Sequence, residues 1–143
     1  MNADVLFIHN LLQSAPTREW YIAGGSVATP NDFEDIDVFI STDAAFQLMF
    51  SFMSTTFEKV YETSNAITYL YTAATKTITI QLIRYAYPVQ EQLERFDLNV
   101  CRKALLPDGS IYSHPTSSLP LYVAGVIGYK TPQRFCKYAE RTG

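Results

Sequence analysis

The chain lacks most features that mark secreted, membrane or disulfide-stabilised proteins. Its two cysteines, Cys101 and Cys136, have no CxxC or Cys/His metal spacing, so neither a disulfide scaffold nor a thiolate metal site is expected. The first residues lack the basic start and continuous apolar run of a signal peptide. No segment approaches the roughly 18 to 20 apolar residues of a membrane span. These absences predict a soluble, cytoplasmic protein with no membrane partner.

Basic charge is also scarce, since 11 Lys and Arg against 14 Asp and Glu give a net charge of -3. That balance argues against a broad basic surface for long nucleic acids, although local basic patches remain compatible with it. His9 and His114 have no acid or cysteine at ligand spacing, and packing roles are the simpler interpretation. An apolar content of 48% over 143 residues suffices for one core, which predicts a single domain over residues 1–143.

Apolar periodicity and capping residues predict the helices. A first helix contains Val5 to Leu12 and ends before Pro16, and Thr42-Asp43 can cap a second helix through about Met53. The remaining predicted helices are short and comprise residues 88–93 and two segments after 116, the second starting near Thr131-Pro132.

Short β-rich runs separated by polar breaks occupy much of the rest of the chain. These predicted strands are residues 19–23, 36–40, 57–61, 66–71, 77–83 and 97–105. The interspersed helices and strands predict an α+β fold with a mixed sheet of about five strands, flanked by helices and followed by a short helical C-terminal extension.

Asp35 and Asp37 open one of the apolar strands. Residues two apart on a strand point to the same face, so the two carboxylates can meet at one site about 7 Å apart along the strand. Carboxylates are the hard oxygen ligands that Mg²⁺ prefers, which makes both residues candidate catalytic and metal-binding groups. The alternative is a pair of solvated acids at a strand entrance.

A Gly24-Gly25-Ser26 turn precedes this acid pair and follows another predicted strand. Glycines allow the backbone to approach a triphosphate closely, and the amides and the Ser26 hydroxyl can donate to it. A glycine pair alone is more often only a tight turn. The informative feature is the combination of the glycine turn with an acid pair in an apolar strand.

This combination resembles the catalytic core of the nucleotidyltransferase superfamily. Residues 94–100, with Pro107-Asp108-Gly109 downstream, resemble a segment of CCA-adding enzymes and bacterial poly(A) polymerases. The resemblance covers about residues 19–112 and implies that Arg95 and Asp97 hold the nucleotide. The ending, residues 132–141, is similar to the close of short phage-encoded nucleotidyltransferase-like proteins, which would place the protein in a host cytoplasm.

Two further basic segments are candidate phosphate contacts. Arg84 follows the strand at residues 77–83 and could contact phosphate, with Tyr85 beside it able to stack on a base, although packing is an alternative. On the C-terminal helix Arg134, Lys137 or Tyr138, and Arg141 share one face that could bind phosphate or RNA backbone. The alternative for that helix is a solvated face.

The resemblance implies a nucleotidyltransferase that uses Mg²⁺ or Mn²⁺ to move a nucleoside monophosphate from an NTP to a hydroxyl on RNA or protein. A toxin or antitoxin that modifies a tRNA or a protein would use the same chemistry. Two departures favour a catalytically inactive binding module instead, such as a viral accessory protein. Gln81 lies on the strand where a third carboxylate is expected, and the segment Glu94-Arg95-Phe96-Asp97 lacks one of the two adjacent basic residues expected before the Asp.

Overall fold

A computed structural model describes residues 2–30, 33, 35–72 and 76–142, the side chains of residues 141 and 142 excepted. Its helices are α1 (Ala3–Leu12), α2 (Gly25–Ala28), α3 (Asp43–Ser54), α4 (Val89–Arg95) and α5 (Thr131–Thr142), with 3₁₀ turns at Asn99–Cys101 and Pro115–Ser118. Its strands are β1 (Tyr21–Ala23), β2 (Asp35–Phe39), β3 (Glu58–Glu62), β4 (Ala66–Thr72), β5 (Thr77–Ile83), β6 (Lys103–Leu105) and β7 (Ile111–Ser113).

The strands form one sheet in the order β3-β4-β5-β2-β1-β6-β7. β2 and β5 pair in parallel, and the other neighbouring strands pair antiparallel. This confirms the predicted α+β fold with a mixed sheet. The sheet has seven strands instead of about five, and one of them, the edge strand β7, lies outside every predicted strand.

The predicted strand at residues 97–105 was too long. Only Lys103–Leu105 is a strand, because the chain turns through a 3₁₀ helix around the fully buried Asn99. The Asn99 side-chain nitrogen Nδ2 donates to the carbonyls of Thr116, Leu119 and Pro120. Its side-chain oxygen Oδ1 accepts from the Tyr122 backbone amide at 2.7 Å. A side chain that satisfies four backbone groups of a distant loop holds a turn where residue types alone favour a strand.

One face of the sheet packs on α1 and α3 and forms the main core. The helices contribute buried residues at helical spacing, and the strands contribute every second residue, including Val5, Ile8, Leu12, Phe46, Met49, Met53, Ile36, Val38, Ile80 and Leu82. The Thr42 hydroxyl accepts from the Ala45 amide at 3.2 Å and begins α3 at the predicted position. Within the described residues, no helix has both the length and the apolar character needed to cross a bilayer.

The opposite face carries a smaller apolar cluster of Tyr21, Phe39, Leu93 and Ala104, with α4 packed against it. Because Ile36 and Val38 are fully buried in the main core, the alternation of β2 turns Asp35 and Asp37 to this second face. The two histidines bond backbone groups and do not line the cavity over this face. His9 Nε2 donates to the Leu106 carbonyl at 2.9 Å, and His114 Nδ1 accepts from the Thr116 amide at 3.2 Å.

Candidate functional site

A cavity of about 600 Å³ opens on the second face of the sheet, over β2 and β5. One wall consists of the turn after β1 together with β2 and β5. The other wall consists of the end of α4, the segment after it and the start of α5. The structure brings six of the eight candidate catalytic and substrate-binding residues to this cavity, namely Gly24, Gly25, Asp35, Asp37, Arg95 and Asp97, and with them Gln81, Arg134, Lys137 and Tyr138.

The acid pair lies on the wall formed by β2 and β5. Asp35 is exposed and accepts a hydrogen bond from the Thr79 hydroxyl on the neighbouring strand β5. Asp37 is partly buried, and its Oδ1 is fully buried without a hydrogen-bond partner among the described residues. Burial and, to a lesser extent, the Asp35 charge raise the pKa of Asp37 to about 7, against the opposing effect of the Arg134 guanidinium.

The glycine turn lies directly beside this carboxylate. Gly24 has φ 97° and ψ -149°, a conformation that favours glycine, and a Cβ atom built on it would lie 3.8 Å from Asp37 Oδ2. Its carbonyl accepts from the Val27 and Ala28 amides at 3.1 and 2.9 Å, which begins the short helix α2. The turn therefore places bare backbone next to the acid pair.

Ser26 lies outside the cavity, whereas the sequence predicted that its hydroxyl could donate to a triphosphate. It is 1% exposed, does not line the cavity, and its hydroxyl has no hydrogen-bond partner in the described part of the chain. Gly24 and Gly25, in contrast, both line the cavity. A phosphate in the cavity would therefore meet the backbone of the turn before the Ser26 hydroxyl.

Gln81 pairs with Asp37 in the parallel register of β5 with β2 and lines the same cavity. No group of three or more His, Cys, Asp or Glu residues lies close enough to hold a metal ion, as far as the described residues extend. Asp35, Asp37 and Gln81 nevertheless all line the cavity, and their side-chain oxygens are of the type that Mg²⁺ accepts. The buried Asp37 Oδ1 without a partner fits the same ion, because buried carboxylate oxygens are normally paired.

Basic side chains line the wall opposite the acids. They are Arg95, Lys130, Arg134 and Lys137. The Arg95 guanidinium lies 4.3 Å above the Tyr87 ring centre, which fixes its position at the end of α4. The shared helix face of Arg134 and Lys137 was visible in the sequence, whereas Lys130 and the 90% exposed Tyr129 beside it were missed. In the sequence, only Pro132 indicated where the helix that carries Arg134 and Lys137 begins.

Asp97 is buried and its carboxylate is already bonded at both oxygens. Oδ2 accepts from the Thr131 hydroxyl at 2.8 Å, and Oδ1 accepts from the Arg134 guanidinium at 2.5 Å. Both partners lie in the first turn of α5 or just after it. The Asp97 carboxylate therefore links the segment after α4 to the start of α5.

A backbone contact reinforces the link. Gly125 has φ 62°, and a Cβ atom there would lie 2.6 Å from the Phe96 carbonyl oxygen. The Val126 amide donates to the Arg95 carbonyl at 3.0 Å, and the Ala124 amide donates to the Asp97 carbonyl at 2.9 Å. These contacts place the loop before α5 tightly against the cavity wall.

The structure does not bring Arg84 to this cavity. Its guanidinium pairs with Asp43 at 3.1 Å, at the start of α3, and lies over the rings of Phe46 and Tyr85. Arg84 follows the end of β5, beyond the stretch of that strand that faces the acid pair. Residues 31, 32 and 34, which lie between the glycine turn and the acid pair, are outside the described residues.

A glycine turn, an acid pair on a central strand and a mixed sheet define the class of this protein as the nucleotidyltransferase fold. Among solved structures, the chain is similar to the Thermotoga maritima CCA-adding enzyme complexed with tRNA (TM-score 0.62, 13% identity) and the Bacillus stearothermophilus CCA-adding enzyme in complex with CTP (TM-score 0.57, 16% identity). Each match covers 99% of this chain and 38% of the other, so the chain spans well under half of those enzymes.

The family is more specific than the fold. A family model described as Gabija anti-defense 2 family protein, Gad2, matches residues 4–118, which is more than half of the chain. The chain belongs to the Gad2 family. No curated protein matches it in sequence.

Proposed function

We propose that the protein is a metal-dependent nucleotidyltransferase that moves a nucleoside monophosphate from an NTP to a hydroxyl acceptor on RNA or protein. The family description, Gabija anti-defense, supports a phage accessory role in the host cytoplasm, directed against the defence system that the description names. The likeness to CCA-adding enzymes, one of them bound to CTP, supports the nucleotide part of the proposal.

One observation carries the proposal. The glycine turn and the Asp35–Asp37 pair lie on one wall of a single cavity, and four basic side chains lie on the other. A triphosphate with a divalent ion needs acids for the metal, amides and cations for the phosphates, and backbone without side chains at the point of closest approach. These three requirements meet in a cavity of about 600 Å³, which is within the usual range for small-molecule sites.

The residues divide into two groups by role. Asp35 and Asp37, with the Gln81 carbonyl, would hold Mg²⁺ or Mn²⁺, which when bound polarises the phosphoryl oxygens and neutralises the departing pyrophosphate. Gly24 and Gly25 let the phosphates approach the backbone, while Arg95 and the basic residues near and on α5 compensate their charge.

In the transfer, the acceptor oxygen bonds to the α-phosphorus and the bond from the α-phosphorus to the bridging oxygen breaks. Pyrophosphate leaves with that electron pair, and the hydroxyl proton passes to water or to the Asp35 carboxylate. Asp35 is the exposed member of the pair and bonds the Thr79 hydroxyl, so it is accessible from the open side of the cavity.

The test is label transfer. The protein is incubated with each α-labelled NTP, Mg²⁺ or Mn²⁺, and total cellular RNA and protein, beside an Asp35→Ala/Asp37→Ala variant. A matched control, Glu58→Ala/Glu91→Ala, removes two exposed acids outside the cavity. Label that moves with the wild type and the control, but not with the Asp35/Asp37 variant, supports the enzyme. Absence of label with every NTP, together with no metal-dependent NTP binding by calorimetry, would exclude it.

Gln81 favours one other candidate, a nucleotide-binding module without catalysis. An amide beside Asp37 supplies one neutral oxygen where a carboxylate would bind the ion more strongly. Such a module would bind an NTP in the same cavity but transfer no label to any acceptor. Metal-dependent NTP binding without transfer therefore identifies it.

A further inference from the structure

Arg134 and Asp97 form an ion pair whose two ends are in different surroundings. The Asp97 side chain is 8% exposed, whereas the Arg134 side chain is 41% exposed and lines the cavity. The two are 2.5 Å apart between the guanidinium nitrogen Nη1 and Oδ1. Asp97 is thus the buried member of the pair, and Arg134 is the member that is accessible from the cavity.

Most N–H donors of Arg134 have no protein acceptor in the part of the chain that the structure describes. A guanidinium has five N–H donors, and within the described residues only the donor to Asp97 has a protein acceptor. The remaining donors belong to a side chain that faces the same cavity as the acid pair and the glycine turn.

Asp97, in contrast to Arg134, is bonded to protein groups through both of its carboxylate oxygens. Its second oxygen accepts from the Thr131 hydroxyl, and that hydroxyl in turn accepts from the Gly128 amide at 2.9 Å. The carboxylate therefore fixes the first turn of α5 and the Arg134 guanidinium together. A buried group already bonded at both oxygens is poorly placed to contact a ligand itself.

We propose that Arg134 binds the phosphate groups of the nucleotide, and that Asp97 acts through Arg134 as a positioning residue instead of contacting the nucleotide. This inference rests on the nucleotide-binding part of the proposed function and does not require transfer. Phosphate is the ligand that suits the site, because a guanidinium held by one bond presents several donors in a fixed plane to phosphate oxygens.

The test compares the affinities of a series of ligands that differ only in the number of phosphate groups. Calorimetry with Mg²⁺ measures the affinity of the full chain for adenosine, AMP, ADP and ATP, and then for the corresponding guanosine and cytidine series. The variants are Arg134→Gln, Arg134→Lys, Asp97→Asn and the double variant Arg134→Gln/Asp97→Asn. Arg18→Gln is the control, because Arg18 bonds Gln13 on the surface and does not line the cavity.

We expect Arg134→Gln to weaken triphosphate binding by roughly tenfold or more, to weaken monophosphate binding less, and to leave nucleoside binding unchanged. Arg134→Lys should recover part of the loss, since it restores the charge but not the planar donors. Asp97→Asn should show the same dependence on phosphate number with a smaller loss. The double variant should be no weaker than Arg134→Gln, because both changes act on one contact.

Three results would overturn the inference. Equal loss for nucleoside and triphosphate, together with a lower melting temperature, would make the pair a purely structural link. If the loss of affinity in Asp97→Asn adds fully to the loss in Arg134→Gln, Asp97 makes its own contact with the ligand. A wild-type protein that binds no nucleotide would remove both this inference and the proposed function, whereas binding without label transfer would remove catalysis alone.

Discussion

Gln81 lies directly beside Asp37 across the parallel pairing of β5 with β2. Both residues line the cavity, so the amide occupies the position from which a third strand residue would reach the acid pair. Its carbonyl oxygen can bind a divalent ion, but it adds no negative charge to the site. Replacing Gln81 by an acid therefore tests directly whether this position faces a metal ion.

We expect Gln81→Glu to strengthen Mn²⁺ binding by roughly tenfold, because a third carboxylate adds charge to the same donor set. Without metal, the variant should be less stable than the wild type, since three carboxylates then repel one another. Metal titration followed by melting temperature measures both effects. Gln133→Glu is the control, because Gln133 is exposed on α5 and outside the cavity. Identical titrations for the two variants would show that Gln81 does not face a metal position.

Gly24 gives a second prediction, and Gly109 supplies a matched control. Both have positive φ, 97° and 90°, but a Cβ at Gly24 would lie beside the Asp37 carboxylate, whereas one at Gly109 would have nothing within 4 Å. Alanine at either position should therefore cost about 1–2 kcal/mol of stability through the backbone alone. Only Gly24→Ala should also weaken NTP binding, because it places a methyl group where phosphate approaches the turn. Equal NTP affinity in the two variants would place the phosphates away from this turn.

The local part of the site could be predicted from the sequence because it depends on neighbours along the chain. Ile36 and Val38 alternate with Asp35 and Asp37, so burying the first pair in the core necessarily turns the second pair to the opposite face. The glycine turn was likewise visible in the sequence, because Gly24 adopts a positive φ of 97° that favours glycine. The helices α1 and α3, with clear apolar periodicity, were placed from the sequence to within a few residues.

The distant wall of the cavity could not be predicted in the same way. Asn99 bends a segment rich in strand-forming residues because its amide bonds a loop around Thr116 to Tyr122, a contact that no local pattern shows. The bond between Arg134 and Asp97 likewise joins residues 37 positions apart. Arg84 was a reasonable candidate by residue type, but its pairing with Asp43 depends on where α3 begins in space. Contacts between distant segments, more than residue types, decide which cations line the cavity.

Asp37 makes the stability of the metal-free protein depend on pH. Burial, followed by the Asp35 charge, raises its pKa from an ordinary 3.8 to about 7. The folded state therefore holds this proton more tightly than the unfolded state does. Between those two values the unfolded state binds fewer protons, so the stability contributed by the protonated group is lost as the pH rises through about 7.

Asp37→Asn should remove this dependence, because an amide of the same shape carries no charge. The variant should match the wild type most closely near pH 4 and exceed its stability above pH 7, by at most about 4 kcal/mol, the limit set by the difference between the two pKa values. Urea unfolding in EDTA at several pH values measures the difference, with Glu58→Gln on the exposed strand β3 as a control for net charge. Saturating Mn²⁺ should reverse the order at pH 8, because the ion binds the wild-type carboxylate and offsets its burial cost. A stability difference that is constant across this pH range would show that Asp37 ionises in the folded protein as it does in the unfolded chain.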